Sequence, residues 1–325
     1  MKILDGMKNL SKLATLFKEV YSYTKEYSSS YGESSDLESL LRVHSEEKIP
    51  EGLRKSTMSM AYSLRYVGDS YAKLFNVDLS AAQKNTLLIL GALARLQDTL
   101  IDDYENVIST EEYRLFYTPE EYHPKTSVDS AAQRLFIELR KSTPRNTNPI
   151  LHDTLEKLFH VQIESKRQKI SNDIIFLKDV TEKKGGYANL AIAVIVKPDM
   201  SIEEQKMVYN FGFYQYVDDI FDREEDTRDG IHTLATELPP DKMRDVLISA
   251  RDRALSEMAS FPYERNLKES AIFKNYVYTL PAILKLNRTP NNKAFRFAPR
   301  TRSRINFMIR CFGEGLHYDP TDYGL

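Results

Sequence analysis

Apolar residues recur at intervals of three and four along most of the chain. This spacing places them on one face of an α-helix. No stretch alternates apolar and polar residues as a half-buried strand would, and several prolines fall between the helical patterns. The chain is therefore predicted to be all-α, with helices at residues 7–27, 53–76, 80–105, 129–142, 150–169, 201–224, 240–260, 269–285 and 301–312.

The composition is that of an ordinary folded domain. Of 325 residues, 42% are hydrophobic and 28% are charged, and no shift in composition divides the chain, so we predict a single domain over residues 1–325. The formal net charge of −2 gives no general basic surface to attract nucleic acid or an anionic membrane, so any basic cluster must be argued locally and nucleic acid is not expected as a partner. The single cysteine, Cys311, excludes an internal disulfide and is interpreted as a packing residue.

The N-terminal residues do not resemble a secretion signal. Asp5 and Lys8 stand where a signal peptide needs an unbroken apolar segment, so we expect a cytoplasmic protein. The longest apolar run, residues 87–96, contains Arg95 and is about half the length of a bilayer span. It is predicted to be a buried core helix, and no stable membrane insertion is expected.

An acidic stretch at residues 216–226 ends one of the predicted helices. Within it Asp218, Asp222 and Asp226 recur every four residues, which places three carboxylates along one stripe of a helix. Like charges at this spacing destabilise a helix by a few tenths of a kcal/mol per pair. Such a stripe is therefore best explained by a bound cation, and Mg²⁺ prefers oxygen ligands of this kind. The alternative is the solvated acidic end of a surface helix.

A second acidic stretch, residues 97–105, ends the predicted helix 80–105. Asp98 and Asp102 share one face, and Asp103 points away from it. Serines at positions 80 and 201 can cap the helices that lead to the two stretches, so both stretches lie near helix C-termini. Carboxylates are disfavoured there by up to about 1 kcal/mol each. Two such stretches together predict a pair of carboxylate stripes that holds divalent cations and a diphosphate.

The run Tyr216-Val-Asp-Asp-Ile-Phe-Asp-Arg-Glu-Glu-Asp226, followed by Gly-Ile-His-Thr-Leu, resembles the second aspartate-rich region of class I isoprenoid (terpenoid) synthases. Asp218, Asp222 and Asp226 also fit the terpene cyclase version of that region, although Asp at the second and third positions is more similar to chain-elongating trans-prenyltransferases. The first stretch, Asp98-Thr-Leu-Ile-Asp102, is spaced like that of squalene and phytoene synthases. The resemblance implies a helical bundle with a central active-site cavity. It also implies about three Mg²⁺ ions, held by Asp98, Asp102, Asp218, Asp222 and Asp226, which promote loss of diphosphate from an allylic prenyl diphosphate.

The residues after the first acidic stretch narrow the choice of reaction. Elongating enzymes have an Arg-Arg pair there, and residues 106–115 contain none. A second substrate, isopentenyl diphosphate, then has no obvious binding site, which favours a terpene synthase that forms a cyclic or linear product. A trans-prenyltransferase, a head-to-head synthase of the squalene type and a catalytically silent isoprenoid-diphosphate-binding protein remain alternatives.

Cationic residues are needed for the diphosphate. The position of Arg167 is similar to that of a diphosphate-sensing Arg in terpene synthases, and Lys169 lies beside it. Lys184 belongs to a Lys-Lys-Gly-Gly run that interrupts the helical pattern and resembles a substrate-binding break in the family. Arg304 lies in a C-terminal arginine run that is expected to close over the site. The alternatives are ordinary surface charges and, for the glycines, a turn between helices.

Two further expectations concern the surroundings of the site. Tyr214 lies four residues before Asp218, so its ring can face the site and stabilise a carbocation by a cation–π interaction; core packing is the alternative. Residues 106–128 form the longest polar connection and are expected to act as a mobile flap. The resemblance also suggests a homodimer.

Overall fold

The structure, a computed structural model, describes residues 35–41, 49–103 and 115–286, together with Thr15 and Lys18. Most of the predicted helix 7–27 and all of the predicted helix 301–312 lie outside the described residues. The same holds for Arg304 and for the side chain of Asp102.

Every regular element in the described ranges is helical, which confirms the predicted all-α class. The α-helices are α1 (Ser35–Leu41), α2 (Glu51–Phe75), α3 (Ala81–Asp103), α4 (Ser127–Ser142), α5 (Pro149–Ser165), α6 (Ile174–Val196), α7 (Ile202–Tyr209), α8 (Tyr214–Asp229), α9 (Leu234–Glu237), α10 (Pro240–Ser260) and α11 (Arg265–Leu286). Three short 3₁₀ segments are Pro119–Glu121, Lys166–Lys169 and Asn210–Phe213.

The chain divides into two compact units. The α2–α5 unit comprises Tyr23–Lys166 and Tyr187–Gln205, and the α8–α11 unit comprises Met1–Ser22, Arg167–Gly186 and Lys206–Leu325. A single domain over residues 1–325 stays a prediction.

The core of the α2–α5 unit is built where α2 and α3 cross. Gly91 of α3 lies so close to α2 that a β-carbon added there would meet the backbone of Ala61. Leu87 and Leu93 of α3 are 0% and 1% exposed, and α4 packs on α3 as well. The predicted cap at Ser80 is confirmed, since its Oγ accepts the Gln83 N–H at 3.1 Å.

The described end of the predicted flap is packed onto α4. Arg140 of α4 donates to the carbonyl oxygens of Phe116, at 3.0 Å, and Tyr117. Gln133 donates in the same way to the carbonyl oxygen of Tyr122, at 2.7 Å. Side chains of α4 therefore bind the backbone of this segment, and the expectation of a mobile flap over residues 106–128 stays a prediction. Residues 104–114 lie outside the described part.

Helix α6 was not predicted by the spacing of apolar residues. All residues from Leu190 to Val196 are buried, and a helix buried on every side has no polar face to produce a period. Gly185 and Gly186 lie inside α6, so the predicted interruption of the helix at this point is wrong, as is the alternative of a turn between helices.

In the α8–α11 unit, helix α8 follows the 3₁₀ segment 210–213 and packs on α9 and α11, while α10 packs on α11 and on the 3₁₀ segment. A β-carbon added at Gly185 would collide with the carbonyl oxygen of Gly212. A β-carbon added at Gly186 would meet the ring of Tyr209, the last residue of α7. The close approach to the 3₁₀ segment is therefore made by Gly185. It holds the start of α8 directly against α6.

Candidate functional site

The three aspartates predicted as a stripe lie on the single helix α8. The helix ends at Asp229, five residues beyond the predicted end at 224, and Gly230 closes it with φ 69°. The N–H of Ile231 donates to the carbonyl oxygen of Asp226 at 2.8 Å. Asp218 and Asp222 are exposed and Asp226 is half-buried. The structure thus brings these carboxylates onto one face of the helix, one turn apart.

The carboxylates of α8 repel one another. Partial burial, and then the charges of Asp222 and Asp218, raise the pKa of Asp226 to about 6. The pKa of Asp222 is also raised, first by partial burial and then by Asp218. Each group therefore holds a proton more tightly than an isolated aspartate does, and a bound cation would relieve the same repulsion.

The donor chemistry of the stripe fits Mg²⁺. In the described part of the chain, no three His, Cys, Asp or Glu side chains converge into a preformed metal cage. Mg²⁺ usually keeps several waters and binds through one or two carboxylates plus phosphate oxygens. Asp218, Asp222 and Asp226 would therefore hold Mg²⁺ together with a phosphate-bearing ligand rather than alone.

A fourth aspartate, Asp219, lies buried beside the stripe and was not among the predicted site residues. Its carboxylate accepts hydrogen bonds from Thr181 Oγ1 of α6 and Gln215 Nε2 of α8, at 3.3 Å and 3.2 Å. Burial raises the pKa of Asp219 to about 7. Gln215 Nε2 also donates to Asp218 at 3.2 Å. The same amide therefore orients the first exposed carboxylate of the stripe.

Lys285 of α11 is a second residue that sequence reasoning missed. Its Nζ donates to the carbonyl oxygen of Phe221 at 2.7 Å and lies 5.6 Å from the centre of that ring. Burial lowers the pKa of Lys285, and the charges of Glu224 and Asp222 oppose that effect. No sequence signal marks it, because it lies 64 residues from Phe221 in an unremarkable helical pattern.

Lys184 lies on α6, half-buried, where its charge lowers the pKa of Asp219 against the larger effect of burial. Of the predicted diphosphate-binding cations, Lys184 is thus shown to lie near the carboxylates of α8. Its charge acts on the buried aspartate beside the stripe.

Arg167 and Lys169 are exposed on the 3₁₀ segment 166–169. The residue between them fixes this segment to the loop after α8: the His232 N–H donates to the Gln168 carbonyl oxygen at 2.8 Å, and Gln168 Nε2 donates to the His232 carbonyl oxygen at 3.0 Å. The guanidinium of Arg167 lies 4.5 Å from the centre of the Phe176 ring. The structure therefore ties the segment that carries the two cations to the C-terminal side of α8.

Tyr214 begins α8, one turn before Asp218. Its hydroxyl donates to Asn275 Oδ1 of α11, and its ring contacts that of Tyr278 edge to face, with centres 6.3 Å apart. The side chain is half-buried. Tyr214 therefore has a structural role in joining α8 to α11, and a role in stabilising a carbocation stays a prediction.

Asp98 belongs to the other compact unit. It lies on α3 with 42% of its side chain exposed, and its Oδ2 is 3.4 Å from Arg95 Nη1. Asp102 also lies on α3, but its side chain is outside the described part. The joint metal site of the two acidic stretches therefore stays a prediction.

A cavity of about 60 Å³ lies within the α2–α5 unit. It is lined partly by the rings of Phe116, Phe136 and Phe159 and by Arg140. None of the predicted site residues is among its lining residues, so this cavity is not the candidate site. The predicted central active-site cavity stays a prediction.

Comparisons of the chain with protein-family models, with curated proteins and with solved structures gave no match. The resemblance to class I isoprenoid synthases therefore stays a prediction from the sequence motifs. None of the helices in the described ranges is long and apolar enough to cross a membrane.

Proposed function

We propose that the chain is a Mg²⁺-dependent terpene synthase of the class I isoprenoid type. It would ionise a linear allylic prenyl diphosphate and release diphosphate with a cyclic or linear terpene. The observation that carries the proposal is α8, whose Asp218, Asp222 and Asp226 lie in line on one face. Bound Mg²⁺ would neutralise the charge that develops on the leaving diphosphate.

The other residues of the α8–α11 unit support this role. Gln215 orients Asp218, and Lys285 supplies positive charge beside Asp222. Such a lysine partly neutralises the stripe before a cation binds, and it competes electrostatically with that cation. Arg167 and Lys169, fixed near the C-terminal side of α8, would bind phosphate oxygens, which a planar guanidinium does in bidentate fashion.

The role of the first acidic stretch is inferred from its sequence. Asp98 and Asp102 would supply further oxygen ligands, as the resemblance implies, and Arg304 would add a cation from the C-terminal run. Substitution of Asp98, Asp102 or Arg304 tests the role of each residue separately from that of the stripe on α8.

Binding is tested by thermal unfolding with Mg²⁺ and inorganic pyrophosphate. A ligand that binds only the folded chain raises its melting temperature. We expect a rise for the parent protein and for Asp245→Asn, an exposed carboxylate on α10, but not for Asp222→Asn combined with Asp226→Asn. The proposed metal site is contradicted if the melting temperature of the parent does not rise, or if that of the double variant rises as much as the parent's.

Turnover is tested with geranyl, farnesyl and geranylgeranyl diphosphates and Mg²⁺, with and without isopentenyl diphosphate. A hydrocarbon or alcohol formed from one allylic diphosphate alone supports the terpene synthase. Longer diphosphates that form only with isopentenyl diphosphate would show that the chain is a trans-prenyltransferase and not a terpene synthase. The resemblance of the aspartates at 222 and 226 to those of trans-prenyltransferases favours this alternative. A symmetric product from two identical substrates would indicate a head-to-head synthase. Binding without any product would indicate a catalytically silent isoprenoid-diphosphate-binding protein.

A further inference from the structure

Exposed isoleucines are concentrated at the start of α6. Among the described residues, six large hydrophobic side chains are exposed, and three of them lie within residues 170–175. Ile170 is 85% exposed, Ile175 is 81% exposed and Ile174 is 41% exposed. We call these three side chains the isoleucine ridge. A single exposed isoleucine needs no explanation, but adjacent ones at such exposure mark an interaction surface.

The ridge is held in place by hydrogen bonds. The N–H groups of Ile170 and Ser171 donate to the carbonyl oxygen of Arg167, at 3.0 Å and 2.9 Å. The Ile175 N–H donates to Asp173 Oδ1 at 2.9 Å, so Asp173 caps the first turn of α6. Leu177, two residues after Ile175, is 0% exposed. The backbone therefore fixes the isoleucines on the outer side of an anchored turn.

Cationic side chains flank the ridge on both sides. Lys166, Arg167 and Lys169 precede it and Lys178 follows it. Residues 166–178 carry these four cations and one acid, Asp173, which accepts the Ile175 N–H. Glu164 and Asp179 stand at the two ends of this segment, and Asp179 forms an ion pair with Lys183. The ridge thus lies in a basic segment of a chain whose formal net charge is −2.

We propose that the isoleucine ridge docks onto the surface of an anionic phospholipid bilayer. Ile170 and Ile175 would enter the boundary between headgroups and acyl chains, while the flanking lysines would contact anionic headgroups. Short aliphatic side chains surrounded by Lys and Arg are typical of peripheral membrane contacts. Protein interfaces are instead enriched in aromatic residues and depleted of Lys, so the composition favours lipid over a protein partner.

Sedimentation with lipid vesicles tests this docking without any measurement of turnover. Vesicles of three parts phosphatidylcholine to one part phosphatidylserine should bind the parent chain, and phosphatidylcholine alone should bind it weakly. Ile170→Ser combined with Ile175→Ser should weaken binding by about ten-fold or more, because two inserted apolar side chains are lost. Ile202→Ser is the matched control, since Ile202 is 64% exposed but is followed by Glu203 and Glu204; it should bind as the parent does. The proposal is overturned if the parent does not bind or if the double variant binds equally well.

A fluorescent probe separates lipid from other occupants. An environment-sensitive dye is attached to Ile175→Cys in a Cys311→Ser background, which removes the only native cysteine. A blue shift that appears only when phosphatidylserine vesicles are added supports docking. If the dye emission is already shifted to the blue without vesicles and the shift disappears on dilution, the ridge instead mediates self-association of the chain. A blue shift that persists at all dilutions would mean that the chain itself covers the ridge. The thermal shift with Mg²⁺ and pyrophosphate does not depend on Ile170 or Ile175, so failure of either proposal is distinguishable from failure of the other.

Discussion

Gly185 of α6 and Gly212 of the 3₁₀ segment before α8 are in direct backbone contact, with no room for a β-carbon between them. One turn before Gly185, Thr181 donates to the buried carboxylate of Asp219 at 3.3 Å. These two contacts lie on the same side of α6 and fix α8 against it. The orientation of the aspartate stripe therefore depends on two glycines that bear no functional group.

Gly185→Ala tests this contact. The added methyl group forces backbone apart, and we expect a loss of about 1–3 kcal/mol in the free energy of unfolding, as for other overpacked sites. Gly52→Ala is the control: no atom lies within 4 Å of a β-carbon added there, and alanine stabilises a helix by up to about 1 kcal/mol relative to glycine. Urea denaturation measures both variants. Equal effects at the two sites would contradict the close approach.

The buried and clustered aspartates predict a pH dependence of the metal-free chain. Burial raises the pKa of Asp219 to about 7, and burial with neighbouring carboxylates raises that of Asp226 to about 6. An unfolded aspartate titrates near pH 4, about two to three units lower. The stability that protonation contributes is full below about pH 4 and is lost as the pH rises through about 6 and 7. We expect the free energy of unfolding to fall over this window, mainly through Asp219, because solvent screening weakens the contribution of the half-buried Asp226.

Asp219→Asn should remove much of that loss, because an amide at the same position cannot ionise. Asp245→Asn on α10 should leave the fall with pH as it is in the parent. Urea denaturation at a series of pH values, with a chelator present, gives the comparison. A free energy of unfolding that stays constant between pH 4 and 7 would contradict the effect of burial on these groups.

Lys285→Met should change the response to Mg²⁺. The lysine supplies positive charge beside Asp222, which opposes binding of a cation by about 1 kcal/mol. Its removal should therefore tighten Mg²⁺ binding by about five-fold and lower the stability of the metal-free chain. Titration calorimetry with Mg²⁺ measures the first effect, and Lys274→Met on the same helix is the control. Weaker Mg²⁺ binding in Lys285→Met would show instead that the lysine holds α11 in place for the stripe.

Arg140→Ala should destabilise the segment 115–126. The carbonyl oxygens of Phe116 and Tyr117 lose their side-chain donor, which costs about 1–3 kcal/mol for groups that remain buried. The matched control is Arg145→Ala, because Arg145 has 64% of its side chain exposed and pairs with the exposed Asp153. An exposed pair contributes about 1 kcal/mol or less. Urea denaturation measures both losses, and limited proteolysis should cut Arg140→Ala faster than the parent. Equal stability of the two variants would show that Arg140 does not anchor the segment.

The spacing of apolar residues predicted most helices well, because an amphipathic helix with one buried face leaves a period in the sequence. It failed at α6, whose second half is buried all round, and at Gly185, where glycine indicates close backbone approach as readily as a break. It also could not find Lys285, since a contact across 64 residues leaves no local signal. The caps at Ser80 and Ser201 were predicted because capping needs only side chains three residues apart.

The sequence by itself determined the helical class, the positions of most helices and the alignment of Asp218, Asp222 and Asp226, because these depend only on the fixed geometry of an α-helix. Only the tertiary structure decided that Asp219 is buried, that Lys285 stands beside Asp222 and that Gln168 ties the segment bearing Arg167 to the loop after α8. Burial and long-range pairing depend on how helices pack. Helix packing here is set by contacts such as Gly185 with Gly212, which join positions far apart in the chain.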